Sequence, residues 1–388
     1  MDIKKIAVKY SEYQVEMRRH FHTNPEISGQ EFKTSERVKK ELDSIGVPWK
    51  KCGLETGVLA TIKGAKPGKT ILIRGDMDAL TVQEETGLPY ASVNGGVMHA
   101  CGHDCHTSML LTAAHILNDI KDELCGTVRL AFQPAEESAI GAKSMISEGA
   151  MDGVDGCFGI HVWSEVPSGK VSVEAGPRMA SADLFKIDLT GKGGHGAAPH
   201  QCVDAAVAAS AVVSNLQTVV SREISPVDPA VITVGVMQVG TRWNVVPEYA
   251  HLEGTTRCFS RDVWELFPKR MEQIITNTAK TFRVDAKFDY VRLVPPTIND
   301  NKVAALAQNA VKKVVAEDAN VLNDKTTGGE DFAFFMEKAP GAIALLGVRN
   351  EACDAVYVQH SGKYQVDEDA LLSGAMLYAQ VAMDFNAQ

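Results

Sequence analysis

Long hydrophobic runs are missing from this 388-residue sequence. No stretch approaches the roughly 20 apolar residues of a membrane span, so a membrane-embedded protein is not expected. The opening segment MDIKKIAVKYSEYQVEMRRHFHTNPE has no continuous apolar core of the kind a secretory signal carries. Its apolar residues recur every three or four positions instead, as on an amphipathic helix. Positive charge is scarce too: 39 Lys and Arg against 49 Asp and Glu leave a net −10. Nucleic acid is thereby excluded as a main partner, since phosphate binding needs a concentrated positive surface. An acidic small molecule stays open, because one arginine fork can hold a carboxylate. The eight cysteines (52, 101, 105, 125, 157, 202, 258 and 353) follow no repeated spacing. Without a secretion signal, that spacing points to a reducing, cytoplasmic setting in which most of them are small buried hydrophobes. Internal repeats and low-complexity segments are absent as well.

What remains is ordinary globular material, 45% hydrophobic and 23% charged. The length exceeds the roughly 250–300 residues at which single cores stop growing, so two domains or an inserted domain are expected. Helical periodicity covers residues 3–22 and 33–45, the second ending at Gly46. Runs of β character at 57–64, 70–80, 126–134 and 156–162 alternate with helices at about 106–120 and 140–150. That alternation predicts an α/β domain with a mostly parallel sheet. From 182 the order becomes β-α-β-β-α-β, the signature of a split, ferredoxin-like α+β module, and the proline pair after Val294 marks its exit. The expected organisation is a catalytic domain of residues 1–181 plus 294–388, interrupted by an insertion of residues 182–293.

Four places in the catalytic portion put metal-ligand side chains just after a predicted strand or at the mouth of a helix: CGHD (101–104), AEE (135–137), GIH (159–161) and QH (359–360). Open α/β sheets bind ligands outside the carboxyl ends of their strands, so these remote residues can converge. Thiolate, imidazole and carboxylate suit zinc and neighbouring transition metals. Cys101 and His103 are two apart, which fits a loop with Gly102 at its tight point. Adjacent glutamates suit a division of labour in which one holds metal and the other carries a proton for water. Taken singly, His161 reads first as a hydrogen-bonded core histidine and the Glu pair as a solvated turn; the joint order carries the case.

The strings MHACGHDCHTSMLL, FQPAEE, GDMDAL, GIHV and GGHGAAPH together closely resemble the metal-dependent amidohydrolases of the aminoacylase/carboxypeptidase clan, in the branch of hippurate hydrolase and the plant auxin-conjugate hydrolases. The resemblance runs along nearly the whole chain. It implies two divalent metal ions (Mn, Zn, Co or Ni) held by Cys101, His103, Glu137, His161 and His360, with Glu136 as general acid/base. It implies that Asp78 orients a ligand from behind, a role Asp76 shares as a second candidate. Asp104 has two expected places, as such a support or as the N-cap of the helix that follows. The inserted domain is implied to form a homodimer, or a tetramer, with His195 serving the partner subunit's site. Asn244 and Arg257 fall on positions that bind the substrate carboxylate or the oxyanion. Cys105 stands where relatives carry a small residue, often glycine.

The implied activity is hydrolysis of the amide bond of N-acyl-L-amino acids, N-acetyl or N-aroyl, releasing a carboxylic acid and an amino acid. A dipeptidase, carboxypeptidase or carbamoylase would share the same ligands and differ in the acyl pocket. A non-catalytic metal-binding protein, or a thiol redox protein using Cys101 and Cys105, is the reading from a different class.

Overall fold

The computed structural model describes residues 2–388, which divide into two compact units. The first comprises residues 2–176, 298–324 and 331–388, and the second residues 177–297 and 325–330. The crossings lie about four residues outside the expected 182–293 on each side, and a short later segment joins the second unit. Backbone pairing explains the segment: the Thr326 amide donates to the Arg178 carbonyl and the Thr326 carbonyl accepts from the Ala180 amide, each at 3.1 Å.

Among the described residues, the sheet of the first unit has seven strands, in the order Trp49–Lys51, Val58–Lys63, Cys125–Gln133, Lys66–Asp76, Gly156–Pro167, Gly341–Arg349, Val171–Ser172. Its four central strands from Cys125–Gln133 to Gly341–Arg349 run parallel, and the margins pair antiparallel. Side chains alternate across it with the period of two that strands impose. Ile71 and Ile73, Val128, Leu130 and Phe132, and Phe158, Ile160 and Val162 face one buried cluster; Leu72, Ala131 and Cys157 face another. Both faces are therefore apolar, as a parallel sheet requires. The helices His103–Asp119 and Leu371–Asn386 contribute to the larger cluster; the short helices Gly141–Ser147 and Ala333–Met336 contribute to the smaller. No described helix is long and apolar enough to cross a membrane.

The second unit runs Ala182–Thr190, helix Ala205–Thr218, Ala230–Val239, Tyr249–Cys258, helix Arg261–Phe282, Asp285–Val294. Its four-stranded sheet has the order Ala230–Val239, Tyr249–Cys258, Ala182–Thr190, Asp285–Val294, with every neighbour antiparallel. Phe185, Ile187 and Leu189 alternate onto the helix-covered face, meeting Ala205, Ala208, Ala209, Val212 and Leu216 from one helix and Trp264, Phe267, Met271 and Ile275 from the other. The opposite face is charged, with Lys186 3.1 Å from Glu253 and His251 2.6 Å from Asp188.

Three local expectations shift. The opening helix is broken into Ile3–Ala7, a 3-10 turn at Val8–Tyr10, and Ser11–Thr23. The helix expected from about 106 begins at His103. The strand expected over 156–162, with His161 at its end, continues to Pro167.

Candidate metal centre

Gly102 sets the entry to the helix His103–Asp119. Its φ is +89°, and a Cβ there would stand 2.4 Å from Val162 Cγ2, so both conformation and space demand glycine. The turn places Cys101 before the helix and His103 as its first residue, both buried. His161 lies inside its strand, not at its end. Pairing with Lys66–Asp76 runs only as far as Arg74 opposite Gly159, so beyond that point the strand edge is open. The edge amide of Val162 donates to His106 Nε2 at 2.8 Å, and His106 Nδ1 lies 2.6 Å from Asp76. Both ring nitrogens of His106 are thus engaged, which leaves it a strut beside the site. His161 Nδ1 donates to the Val162 carbonyl at 2.6 Å, fixing the tautomer, and its Nε2 faces Cys101 Sγ at 3.4 Å.

The glutamates follow the strand Cys125–Gln133 on an unusual turn. Ala135 has φ +51° and Ala139 φ +55°, so two left-handed alanines bracket them. The amides of Glu136 and Glu137 each donate to Asp78 at 3.1 Å, Ser28 donates to it at 2.6 Å, and Asp78 Oδ1 lies 3.2 Å from His103 Nδ1. His103 Nε2 then points inward, 3.7 Å from Asp76, 3.9 Å from Glu137 and 4.0 Å from Glu136. His360, in a turn with φ +67° and 56% exposed at its side chain, brings Nε2 to 3.6 Å from Glu137.

Four overlapping groups of potential ligands lie wholly within the first unit: Cys101–His103–His161, Asp76–His103–His106, Cys101–Glu137–His360 and His103–Glu136–Glu137, with the atoms of each within 4.8 Å of one another. All five expected ligands and Glu136 therefore meet at one place. Two buried atoms in it, His103 Nε2 and Glu137 Oε1, have no hydrogen-bond partner. Such atoms are costly to bury unless something satisfies them. A divalent cation accepted by thiolate, imidazole and carboxylate fits that need. The electrostatics agree. Burial disfavours a charged His103, yet Asp76, Cys101 and Asp78 outweigh it and raise its pKa well above the usual value, so the pocket favours positive charge. Burial, with His106 beside it, pushes His161 well down, leaving a neutral ring. Burial would raise Asp76, but Arg74 and the two imidazoles hold it well below the usual carboxylate range.

Asp104 does not take either expected place. It makes no cap hydrogen bond to its helix; Arg18 Nε lies 3.0 Å away and His22 Nδ1 2.8 Å away, all buried. Cys105 is fully buried beside them, and burial raises its thiol well above the usual range.

In the second unit, His195 pairs with Val245 across a two-stranded ribbon, and the Gly196 amide donates to the Asn244 carbonyl at 2.9 Å. The ribbon is a sheet of its own, and the strand Tyr249–Cys258 begins after it, with Tyr249 opposite Thr190. Arg257 sits near the far end of that strand, its Nη1 2.5 Å from Thr255 Oγ1 and 3.0 Å from the Thr256 carbonyl. At ~3.4 Å per residue, the strand from Tyr249 to Arg257 spans roughly 27 Å.

Sequence reasoning missed three buried supports. Arg74 bridges Asp76 (2.5 Å) and Asp331 (3.0 Å); His22 lies between Asp104 and Glu84; and Glu31 reaches the glutamate turn. Apart from Asp76, two positions from Arg74, the partners are distant in sequence, and no spacing signal marks them.

Residues 72–384 match the model of peptidase family M20/M25/M40. The chain belongs to this family. Thermostable carboxypeptidase 1 of Saccharolobus solfataricus is 39% identical, over 99% of this chain and 98% of its own. N-acetyl-L-cysteine deacetylase of Bacillus subtilis is 38% identical, over 92% and 85%. Among solved structures, a Bacillus subtilis protein described as a dinuclear metal-binding peptidase of the M20 family superimposes with a TM-score of 0.85 at 35% identity, over 97% of this chain and 98% of that one. This M20 chain is accordingly a metal-dependent hydrolase of the amidohydrolase type.

Proposed function

We propose that this M20 enzyme hydrolyses the amide bond of N-acyl-L-amino acids at a two-metal centre, with Glu136 as general acid/base. The observation that carries the reading is the buried, unpartnered Nε2 of His103, ringed by Glu136, Glu137 and Asp76 within 4.0 Å. Cys101, His103, Glu137, His161 and His360 would hold the ions. Divalent ions there would supply Lewis-acid polarisation of the acyl carbonyl and make water easier to ionise. Glu136 accepts the proton of the attacking water and returns it to the leaving amine. Asp78 keeps His103 in the tautomer whose Nε2 is a lone-pair donor. The deacetylase relative favours small acyl groups on an amino acid.

The inserted unit is read as a ferredoxin-like dimerisation and lid module. Arg257 binds the substrate carboxylate of its own subunit, while the partner's His195 stabilises the oxyanion and the partner's Asn244 assists. The placing of His195 and Asn244 at the ribbon and of Arg257 near the far end of the strand Tyr249–Cys258 supports that division. A second reading, carboxypeptidase action on peptides, is favoured by the Saccharolobus relative and uses the same residues.

The test is a substrate panel on EDTA-stripped enzyme reloaded with Mn²⁺, Co²⁺, Ni²⁺ or Zn²⁺. N-acetyl and N-benzoyl amino acids should be cleaved only when metal is restored. Cleavage of dipeptides alone favours the second reading. Turnover that survives chelation, or none on any panel member with any metal, overturns the proposal.

A further inference from the structure

Glu31 is a buried carboxylate with no assigned role. It stands at the N-terminal boundary of the helix Phe32–Ser44, but its side chain does not cap that helix. It turns inward instead and is fully buried. Its Oε1 accepts the amide of Gly29 at 2.7 Å and the amide of Ala135 at 2.9 Å, and its Oε2 accepts the Thr56 hydroxyl at 2.6 Å. Burial pushes its pKa up, with the Thr56 hydroxyl and the backbone amides opposing. Three segments remote in sequence are thus tied by one carboxylate at a desolvation cost that an apolar residue would not incur.

What it ties is the turn from which the glutamates project. Ala135 is in the left-handed region, where a Cβ crowds the following carbonyl, so surrounding contacts must hold it there. The three successive amides of that turn all end on buried carboxylates: Ala135 on Glu31, and Glu136 and Glu137 on Asp78. Asp78 is also bound to His103, and so belongs to the ligand cluster itself. Among the described residues, Glu31 contacts the turn and makes no hydrogen bond or ion pair with any of the five ligand residues.

We infer that Glu31 is a positioning residue, which locks the left-handed Ala135 turn and thereby aims Glu136 for proton transfer. The inference rests on the reading of Glu136 as the proton carrier. A displaced turn moves the Glu136 carboxylate relative to the reacting atoms, and an error near 1 Å costs on the order of 100-fold in rate.

The experiment compares full-length wild type with Glu31→Gln, Glu31→Ala and Glu31→Asp, each reloaded with Mn²⁺. Amide hydrogen exchange over residues 133–140 is read alongside kcat and KM on the N-acetyl amino acid the wild type cleaves. Gln keeps an oxygen for the two amides and offers an N–H to Thr56, so protection and kcat should stay within about threefold of wild type. Ala should accelerate exchange at 135–137 by about tenfold or more. Its kcat should fall about 10- to 100-fold, with KM little changed. Where Ala does not fold, Asp carries the test: the charge stays, but the carboxylate is a methylene short of Ala135. Loss of kcat and of local protection at unchanged melting temperature supports the inference. Wild-type protection and kcat in a folded Ala or Asp variant overturn it. So does a Gln variant as damaged as Ala. A wild type that cleaves no N-acyl amino acid defeats the proposed function instead, and the exchange arm still decides whether Glu31 holds the turn.

Discussion

Asp78 and His103 are joined at 3.2 Å, and the same carboxylate accepts the amides of Glu136 and Glu137. One side chain therefore orients an imidazole and the backbone of both glutamates. It is fully buried; desolvation alone would raise its pKa, but His103 and Ser28 outweigh it and leave it lowered. Asp78→Asn replaces one acceptor oxygen with a donor facing these N–H groups. Metal affinity should drop about 10- to 100-fold, the range seen when the partner of a metal-bound histidine is removed. Competition titration with a chelating dye measures it; an unchanged affinity would remove Asp78 from its supporting role.

Glu136 and Glu137 are neighbours in sequence with different surroundings. Glu137 Oε1 faces both His103 and His360, whereas Glu136 shares only His103, at 4.0 Å, and accepts the Asp331 amide at 3.3 Å. Glu136→Gln should retain bound metal and lose about 10²- to 10⁴-fold in kcat, the usual worth of a positioned acid or base. Metal analysis together with steady-state kinetics checks it. Full turnover would transfer the proton role elsewhere, and lost metal would make Glu136 a ligand.

The contrast between these residues and their supports shows what the sequence could tell. The convergence of Cys101, His103, Glu137, His161 and His360 on one place was legible because residues of ligand type recur at sheet-edge positions, and the parallel centre of the sheet followed from alternating helices and apolar runs. Two features were not. The left-handed Ala135 has no residue-type signature, since glycine would announce such a turn and alanine does not. Asp104 was misplaced because spacing put it in a helix's first turn, where capping is the default; its partner Arg18 lies on a helix 86 positions earlier, a distance that local patterns cannot span.

That misplaced residue makes its own prediction. Arg18 and Asp104 are each 1% exposed and 3.0 Å apart, so Asp104→Asn takes the buried carboxylate from this guanidinium and leaves it Glu368, 3.1 Å from Nη1. Breaking such a pair costs about 3–5 kcal/mol, measurable as a lower urea midpoint. The pH dependence has two parts. Burial raises Asp104, but Arg18 and His22 hold it well below the usual range. Its contribution is therefore present above the unfolded value near 3.9 and is lost only in stronger acid. His22 runs the other way. Burial and Arg18 lower its pKa, yet Asp104 and Glu84 leave it raised overall. Its contribution is full below about 6.5 and fades as pH rises through the raised folded value. His22→Phe should flatten stability across that upper window while leaving the acid limb in place.

His195 and Asn244 stand at the two-stranded ribbon and Arg257 near the far end of the strand Tyr249–Cys258, an arrangement that yields a test of shared sites. If a site combines its own Arg257 with the partner's His195, His195→Ala and Arg257→Ala should each be inactive alone. Mixed under conditions that exchange subunits, they form heterodimers in which one site carries neither substitution. Half the dimers are mixed at equal concentration, and one site in two is intact, so about a quarter of wild-type activity should return. If His195 and Arg257 serve the same subunit, every site in every dimer lacks one of them and mixing restores nothing. Activity of the mixture against dilution separates the two cases, because recovery that depends on dimers must fall when the enzyme is diluted into monomers.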